Sequence, residues 1–298
     1  MSAPVLLFPG QATEQPGMSG GWEADPAWRA ALEAAEARTG LPLRDLMAHG
    51  PAEALRAQRV APIAVLAHAV GLYRAHRAAG MALPAGASGH SMGFFSALVA
   101  AGVVPLEAAL DLILATEDAA DARFVPGSMG MAFVIGLREG DVASALAAHP
   151  GLRLSNLNGQ AQFTVSGDLP SLEAFLASVG AGALKAGLLP VRHPLHCDLM
   201  APLLPSVQEA LRSWKPRDPE FPLVSPLDGR RLDDGFEAWE EAIVSVAAPI
   251  RWPAAVRGLR SLGEAFFECG HGAQLQNLTR WADRSLIVAS LQEPRSWA

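Results

Sequence analysis

A serine between glycines, Gly89-His90-Ser91-Met92-Gly93, is the first feature of the chain that could carry a reaction. The Gly-x-Ser-x-Gly pattern fits a sharp strand-to-helix elbow, where glycines let the backbone turn and the hydroxyl is lifted clear of a sheet. The N–H of the next residue then points at a developing oxyanion. A short small-residue segment (84–89) precedes the pattern and the helical stretch FFSALVAAG follows it, the context such an elbow requires. A serine needs a base at neutral pH, and eight histidines compete for that role. His49, His68, His76 and His149 fall in helices or loops of ordinary polarity. His90 adjoins the serine, but its side chain is expected to point away from the hydroxyl. His193 and His196 lie in PVRHPLHCDLM, where a strand ends at a proline before a helix begins, a good setting for a base. The residues alone do not separate these two.

The elements that would position them alternate. Pro4–Phe8 reads as a buried strand stopped by Pro9-Gly10. Helices are expected from Asp25-Pro26 to Arg38, from Val60 to Ala79, and from Pro105 to about Ala122. From about Phe124 the texture changes to MGMAFVIGL as a strand, Glu139–Ala148 as a helix, LRLSNLN and AQFTVSG as strands, Leu172–Val179 as a helix and ALKAGLLPV as a strand. That order is a split βαβ unit. Helices at Leu199–Trp214, Phe236–Val246 and Pro253–Leu262 then alternate with strands at Pro222–Ser225, AFFEC and SLIVASL, which implies a parallel sheet. The expected fold is α/β: a hydrolase-like parallel-sheet domain, residues 1–123 and 192–298, with an inserted small ferredoxin-like α+β subdomain, residues 124–191.

Composition narrows the function. At 298 residues, half of them hydrophobic, the chain can bury a large core. A net charge of −7 argues against nucleic acid as the main partner. No stretch approaches a membrane span, the N-terminal run lacks a basic region before it, and two cysteines make no disulfide framework or zinc site. A cytoplasmic, metal-free enzyme is the expectation. Arg251, Arg257, Arg260, Arg280 and Arg284 gather near the C-terminus, either as a patch for an acidic partner or as scattered solvated charges.

Several motifs stand in register. FPGQ at Phe8–Gln11, GHSMG, SALVAAGV, GMAFVIGL, NLNGQAQFTVSG, LPVRHPLHCDLMAP, PIRW and ECGHGAQLQNL follow in the order of one family. The chain resembles, essentially end to end, the malonyl-CoA:acyl carrier protein transacylases, also found as acyltransferase domains of polyketide synthases. The resemblance implies Ser91 as acylated nucleophile, His196 as general acid/base, and the backbone N–H groups of Gln11 and Met92 as oxyanion hole. It implies ping-pong transfer from an acyl-CoA to the phosphopantetheine thiol of an acyl carrier protein, in fatty acid or polyketide biosynthesis, by a monomer without a cofactor. A backbone carbonyl supports the family's histidine, so Asp198 and Glu268 are not required as a third member.

The sequence also departs from the family. Members that take malonyl groups hold the free carboxylate with an arginine in the helix after the elbow. A gap-free count places Thr116 there, with Glu117 next. A hydroxyl cannot replace a bidentate guanidinium, so the expected acyl group lacks a free carboxylate, unless Arg192 or Arg123 reaches in. Phe94 stands where glutamate is usual and is expected to make the pocket side of its helix more apolar. Leu195 stands where many members have serine or phenylalanine, and is expected to face the acyl chain. Thr116, His90, Phe94 and Leu195 are therefore the candidate substrate-binding residues. Ser245 replaces a frequent glutamine, a tolerable change where the main chain makes the contact. The alternatives are a malonyl-specific enzyme that has drifted, an acyl-thioester hydrolase using the same Ser91 and His196, and a non-catalytic carrier-protein docking subunit. Intact GHSMG, His196 and the Gln11 loop count against the last.

Overall fold

Four consecutive apolar residues, Val5–Phe8, form strand β1, and all four are fully buried because the strand lies inside a sheet covered on both faces. In the computed structural model, which describes residues 3–294 and residue 297, the remaining strands are β2 (Gly86–Gly89), β3 (Met129–Ile135), β4 (Arg153–Gly159), β5 (Gln162–Asp168), β6 (Lys185–Leu188), β7 (Leu223–Val224), β8 (Arg231–Leu232), β9 (Ile250–Arg251), β10 (Phe266–Glu268) and β11 (Val288–Ser290). The first sheet has the order β11-β10-β1-β2-β7-β8. Its strands pair in parallel except for β8, which closes one edge antiparallel to β7, so the sheet is mixed at that edge. β1 and β2 run side by side, with Phe8 opposite Gly89, so the two loops leaving them emerge together at the C-terminal edge. In open α/β sheets that edge is where ligands bind.

The second sheet has the order β6-β3-β5-β4-β9. Its first four strands are antiparallel neighbours, and helices Glu139–Ala147 and Leu169–Val179 complete the split βαβ order. Strand β9 adds in parallel to β4, Asn156 opposite Ile250. A two-residue pairing between segments so far apart leaves no periodic signal, and it ties this sheet to the chain that follows helix Gly235–Ser245.

Capping explains the helix limits. The Asp25 carboxylate accepts from the N–H groups of Ala27 and Trp28, both at 2.9 Å, to start Pro26–Thr39, and Gly40 at φ 71° ends it. Helix Ala61–Ala78 packs against it and is buried along most of its length. The single helix expected over Leu199–Trp214 is a 3-10 stretch, Asp198–Leu203, followed by an α-helix, Leu204–Leu211. Pro202 and Pro205 lack the N–H groups that a continuous α-helix would use. Two short helices, Leu43–His49 and Ala52–Leu55, fall where no periodic pattern was read. Among the described residues no helix is long and apolar enough to cross a membrane.

Candidate active site

The elbow is built by close passage of backbone. A Cβ on Gly89 would overlap the Gly93 backbone, and one on Gly93 would overlap the Phe8 carbonyl. Both positions must therefore be glycine for the helix Gly93–Ala100 to leave β2 against β1. Ser91 sits between them with φ 57°, in the left-handed region. Among the described residues, the non-glycine residues with positive φ are Ser91, His196 (φ 61°) and Ala12 (φ 73°), which follows Gln11. Each such conformation costs about 1 kcal/mol or more, and such strain clusters where geometry serves chemistry.

The two distant histidine candidates part here. His196 Nε2 lies 2.7 Å from Ser91 Oγ. Its Nδ1 lies 2.6 Å from the Ser245 carbonyl, and its backbone N–H donates to the Val246 carbonyl at 2.7 Å. A carbonyl only accepts, so Nδ1 carries the proton and the neutral ring presents a bare Nε2 to the serine O–H. Burial holds the imidazolium form of His196 down at about 4, with nearby His90 adding to the effect and the Ser245 carbonyl opposing it. A serine hydroxyl donating to a neutral, fixed imidazole is a pair able to pass a proton. His193, in contrast, stands between carboxylates, 3.4 Å from Glu117 Oε2 and 3.3 Å from Asp121 Oδ1. Asp198 pairs with Arg153 at the surface at 2.9 Å, and Glu268 caps a helix, so neither carboxylate supports the His196 ring.

Gln11 lies on the loop leaving β1, beside the elbow. The side chain of Gln274 holds this loop from both sides: its Oε1 accepts from the Gly10 N–H at 3.2 Å and its Nε2 donates to the Gln11 carbonyl at 2.8 Å. Gln274 begins the helix Gln274–Ala282, whose first turn is anchored by Glu268, accepting from the N–H groups of Leu275 at 2.9 Å and Gln276 at 3.1 Å. Glu268 is fully buried, and burial raises its carboxyl to about 7 despite those two donors. Sequence reasoning did not single out Gln274, although it lies in one of the motifs in register. No local pattern distinguishes a clamping glutamine from a solvated one.

Two spaces meet at Ser91. The larger, about 350 Å³, is lined by the Gln11 loop, His90, Met131, Phe133, Leu195 and Trp281, among others. The smaller, about 40 Å³, runs behind the serine between Met92, Phe95, Ile113, Thr116, Glu117 and Leu195. His90 is buried, with Nε2 2.7 Å from Asn158 Oδ1 and its ring edge-on to Trp252, and burial lowers it to about 4. Leu195 borders both spaces. Thr116 borders the smaller one, with its hydroxyl donating back to the Leu112 carbonyl at 2.7 Å. Phe94 does not face either space: it is fully buried in the core, and its neighbour Phe95 lines the cavity instead. The tight elbow sets the phase of the helix so that Phe94 turns inward. Arg123 is exposed over the Phe124 ring and Arg192 is exposed, and neither lines these spaces among the described residues.

The model of the acyl transferase domain family matches residues 5–257. The malonyl CoA-acyl carrier protein transacylase of Escherichia coli strain K12 is 31% identical, over 99% of this chain and 97% of its own length. The chain belongs to the malonyl-CoA:acyl carrier protein transacylase family of acyltransferases. Solved structures agree with that placement. An acyl-carrier-protein S-malonyltransferase from Burkholderia pseudomallei superposes on this acyltransferase with a TM-score of 0.91 at 30% identity, covering 99% of this chain and 97% of the other. A malonyl-transacylase solved in complex with its type II polyketide synthase acyl-carrier protein has a TM-score of 0.91 at 26% identity, covering 99% and 97%. The α/β fold and the acyltransferase class follow from these matches together.

Proposed function

We propose that Ser91 is the acylated nucleophile of a ping-pong acyltransferase that moves an acyl group from coenzyme A to an acyl carrier protein. The 2.7 Å contact between Ser91 Oγ and His196 Nε2, with Nδ1 fixed on the Ser245 carbonyl, is the observation that carries this reading. In the first half-reaction His196 takes the serine proton as Oγ bonds to the thioester carbonyl carbon. The N–H groups of Gln11 and Met92 hold the oxyanion. The C–S bond then breaks, and His196 returns the proton to the departing sulfur. The pantetheine thiol of the carrier protein reverses these steps on the acyl-serine. The carrier protein as partner is supported by the relative solved with its own. Residues 124–191 form, in this reading, a subdomain that roofs the site, since Met131, Phe133 and Val191 line the larger space.

The acyl group, in the same proposal, is not malonyl. A threonine whose hydroxyl is already used within its helix and a buried carboxylate, Glu117, border the smaller space. A malonyl carboxylate there would meet like charge rather than a bidentate guanidinium. Intact-protein mass spectrometry after mixing with malonyl-, acetyl- and longer acyl-CoAs tests both parts. Adducts are expected on wild type and absent from Ser91→Ala. A stable malonyl adduct at Ser91 refutes the specificity reading, and adducts unchanged in Ser91→Ala refute the mechanism. Free acid released as fast as transfer would favour the hydrolase.

A further inference from the structure

The small cavity behind Ser91 is lined in part by a buried carboxylate, that of Glu117. Glu117 is 4% exposed. Its Oε1 accepts from Gln58 Nε2 at 2.9 Å, while Oε2 is buried without a hydrogen-bond partner among the described residues. Gln58 is itself fixed, because its Oε1 accepts from the Arg192 N–H at 3.0 Å. His193 Nε2 lies 3.4 Å from Oε2, and that same nitrogen faces Asp121 Oδ1 at 3.3 Å. Neither ring nitrogen of His193 makes a hydrogen bond among the described residues.

Arg59 pairs with Asp118 and, at 3.0 Å, with Asp121. Arg59 is thus engaged by the exposed Asp118 and Asp121, and the His193 ring is divided between Asp121 and Glu117, so among the described residues Glu117 has no cation within 4 Å to itself. A buried carboxylate oxygen without a donor is costly, and a cationic donor arriving with a ligand would relieve it. Space limits what can arrive. About 40 Å³ holds roughly three water-sized groups, at 10–15 Å³ each.

We propose that the small cavity selects a short acyl group ending in an amine, with its ammonium seated against Glu117 Oε2. This rests on the reading of Ser91 as nucleophile. The chemistry of transfer is unchanged: the acyl carbon bonds to Ser91 Oγ, the C–S bond breaks, and the serine proton passes through His196 to the coenzyme A sulfur. The ammonium stays protonated and takes no part in bond making. Glu117 acts as a specificity-determining residue, contacting substrate away from the reacting atoms.

The test compares β-alanyl-CoA with butyryl-CoA, which have the same number of heavy atoms but carry an ammonium or a methyl group at the end. The rate of acyl-Ser91 formation is followed by quenched-flow mass spectrometry on the full-length protein. Wild type is expected to favour β-alanyl by at least about tenfold in kcat/KM, since hydrogen bonds to charged groups discriminate at that scale or above. In Glu117→Gln that preference is expected to fall toward parity. Equal rates for the two donors in wild type would overturn the proposal and leave Glu117 as a structural partner of His193; that comparison needs no variant to fold. A preference unchanged in Glu117→Gln would overturn it too. If butyryl acylates Ser91 and β-alanyl does not, only this inference falls. If no donor acylates Ser91, the mechanism proposed above falls with it.

Discussion

Gln274 offers a sharp test of how the site is held. Its side chain accepts from Gly10 N–H at 3.2 Å and donates to the Gln11 carbonyl at 2.8 Å, so two hydrogen bonds fix the peptides on either side of the one whose Gln11 N–H is proposed to hold the oxyanion. Each is worth about 1 kcal/mol net, and their joint loss in Gln274→Ala is about 2 kcal/mol, roughly a 30-fold effect. The upper bound is complete loss of one oxyanion donor, about 2.7–4 kcal/mol. The donor survives in the variant but is no longer aimed, so the expectation lies between the two. Because the oxyanion exists only in the transition state, kcat is expected to fall while KM changes little. Gln274→Glu is expected to be worse. A carboxylate can still accept from Gly10, but it cannot donate to the Gln11 carbonyl and it places negative charge beside the developing oxyanion. The assay is single-turnover formation of acyl-Ser91, with thermal unfolding measured in parallel. Gln274→Ala with kcat within twofold of wild type, or with only KM altered, refutes the clamp.

Two further outcomes follow from the same geometry. His196 must be unprotonated to take the serine proton, and burial lowers it from 6.5 to about 4. Acylation is therefore expected to stay level as pH falls from 8 through 6.5 and to decline only as pH nears about 4; a half-point close to 6.5 in kcat/KM would contradict a buried base. At the surface, Arg280 and Arg284 border a depression of about 610 Å³ with Ile287, next to the larger space at Ser91, and share Asn277 and Trp281 with its lining or edge. Arg280→Glu with Arg284→Glu is expected to raise KM for an acidic carrier protein about tenfold at low salt, and wild-type KM to rise with ionic strength; a salt-independent KM would remove the docking role.

What the sequence discloses about this site is what local backbone sterics dictate. Gly89 and Gly93 are legible because their close approaches to neighbouring backbone forbid a Cβ, whatever the surrounding side chains. The split βαβ order at 124–191 is legible because strand and helix periods alternate there. Phe94 and Phe95 are not distinguishable in the same way. Which of two adjacent aromatics faces the cavity depends on the helical phase set by a strained turn, and the core claims Phe94. Pro202 and Pro205 were visible in the sequence, but where they break the helix over 199–214 depends on packing around the 3-10 turn.

The two histidines of PVRHPLHCDLM show the limit most clearly. They are three residues apart, in one loop, with the same side chain, and the residues alone leave both open. What separates them comes from elsewhere in the chain. The Ser245 carbonyl, at the end of a helix some fifty positions on, accepts from His196 Nδ1–H and so leaves Nε2 bare for Ser91. Glu117 and Asp121, on the helix Leu106–Arg123, stand against His193 instead. A base next to a nucleophile needs a ring nitrogen free to accept a proton, whereas the His193 ring stands with one nitrogen between two carboxylates. The same loop thus supplies one imidazole placed for proton transfer and another set against carboxylates, because different helices meet it at the two positions.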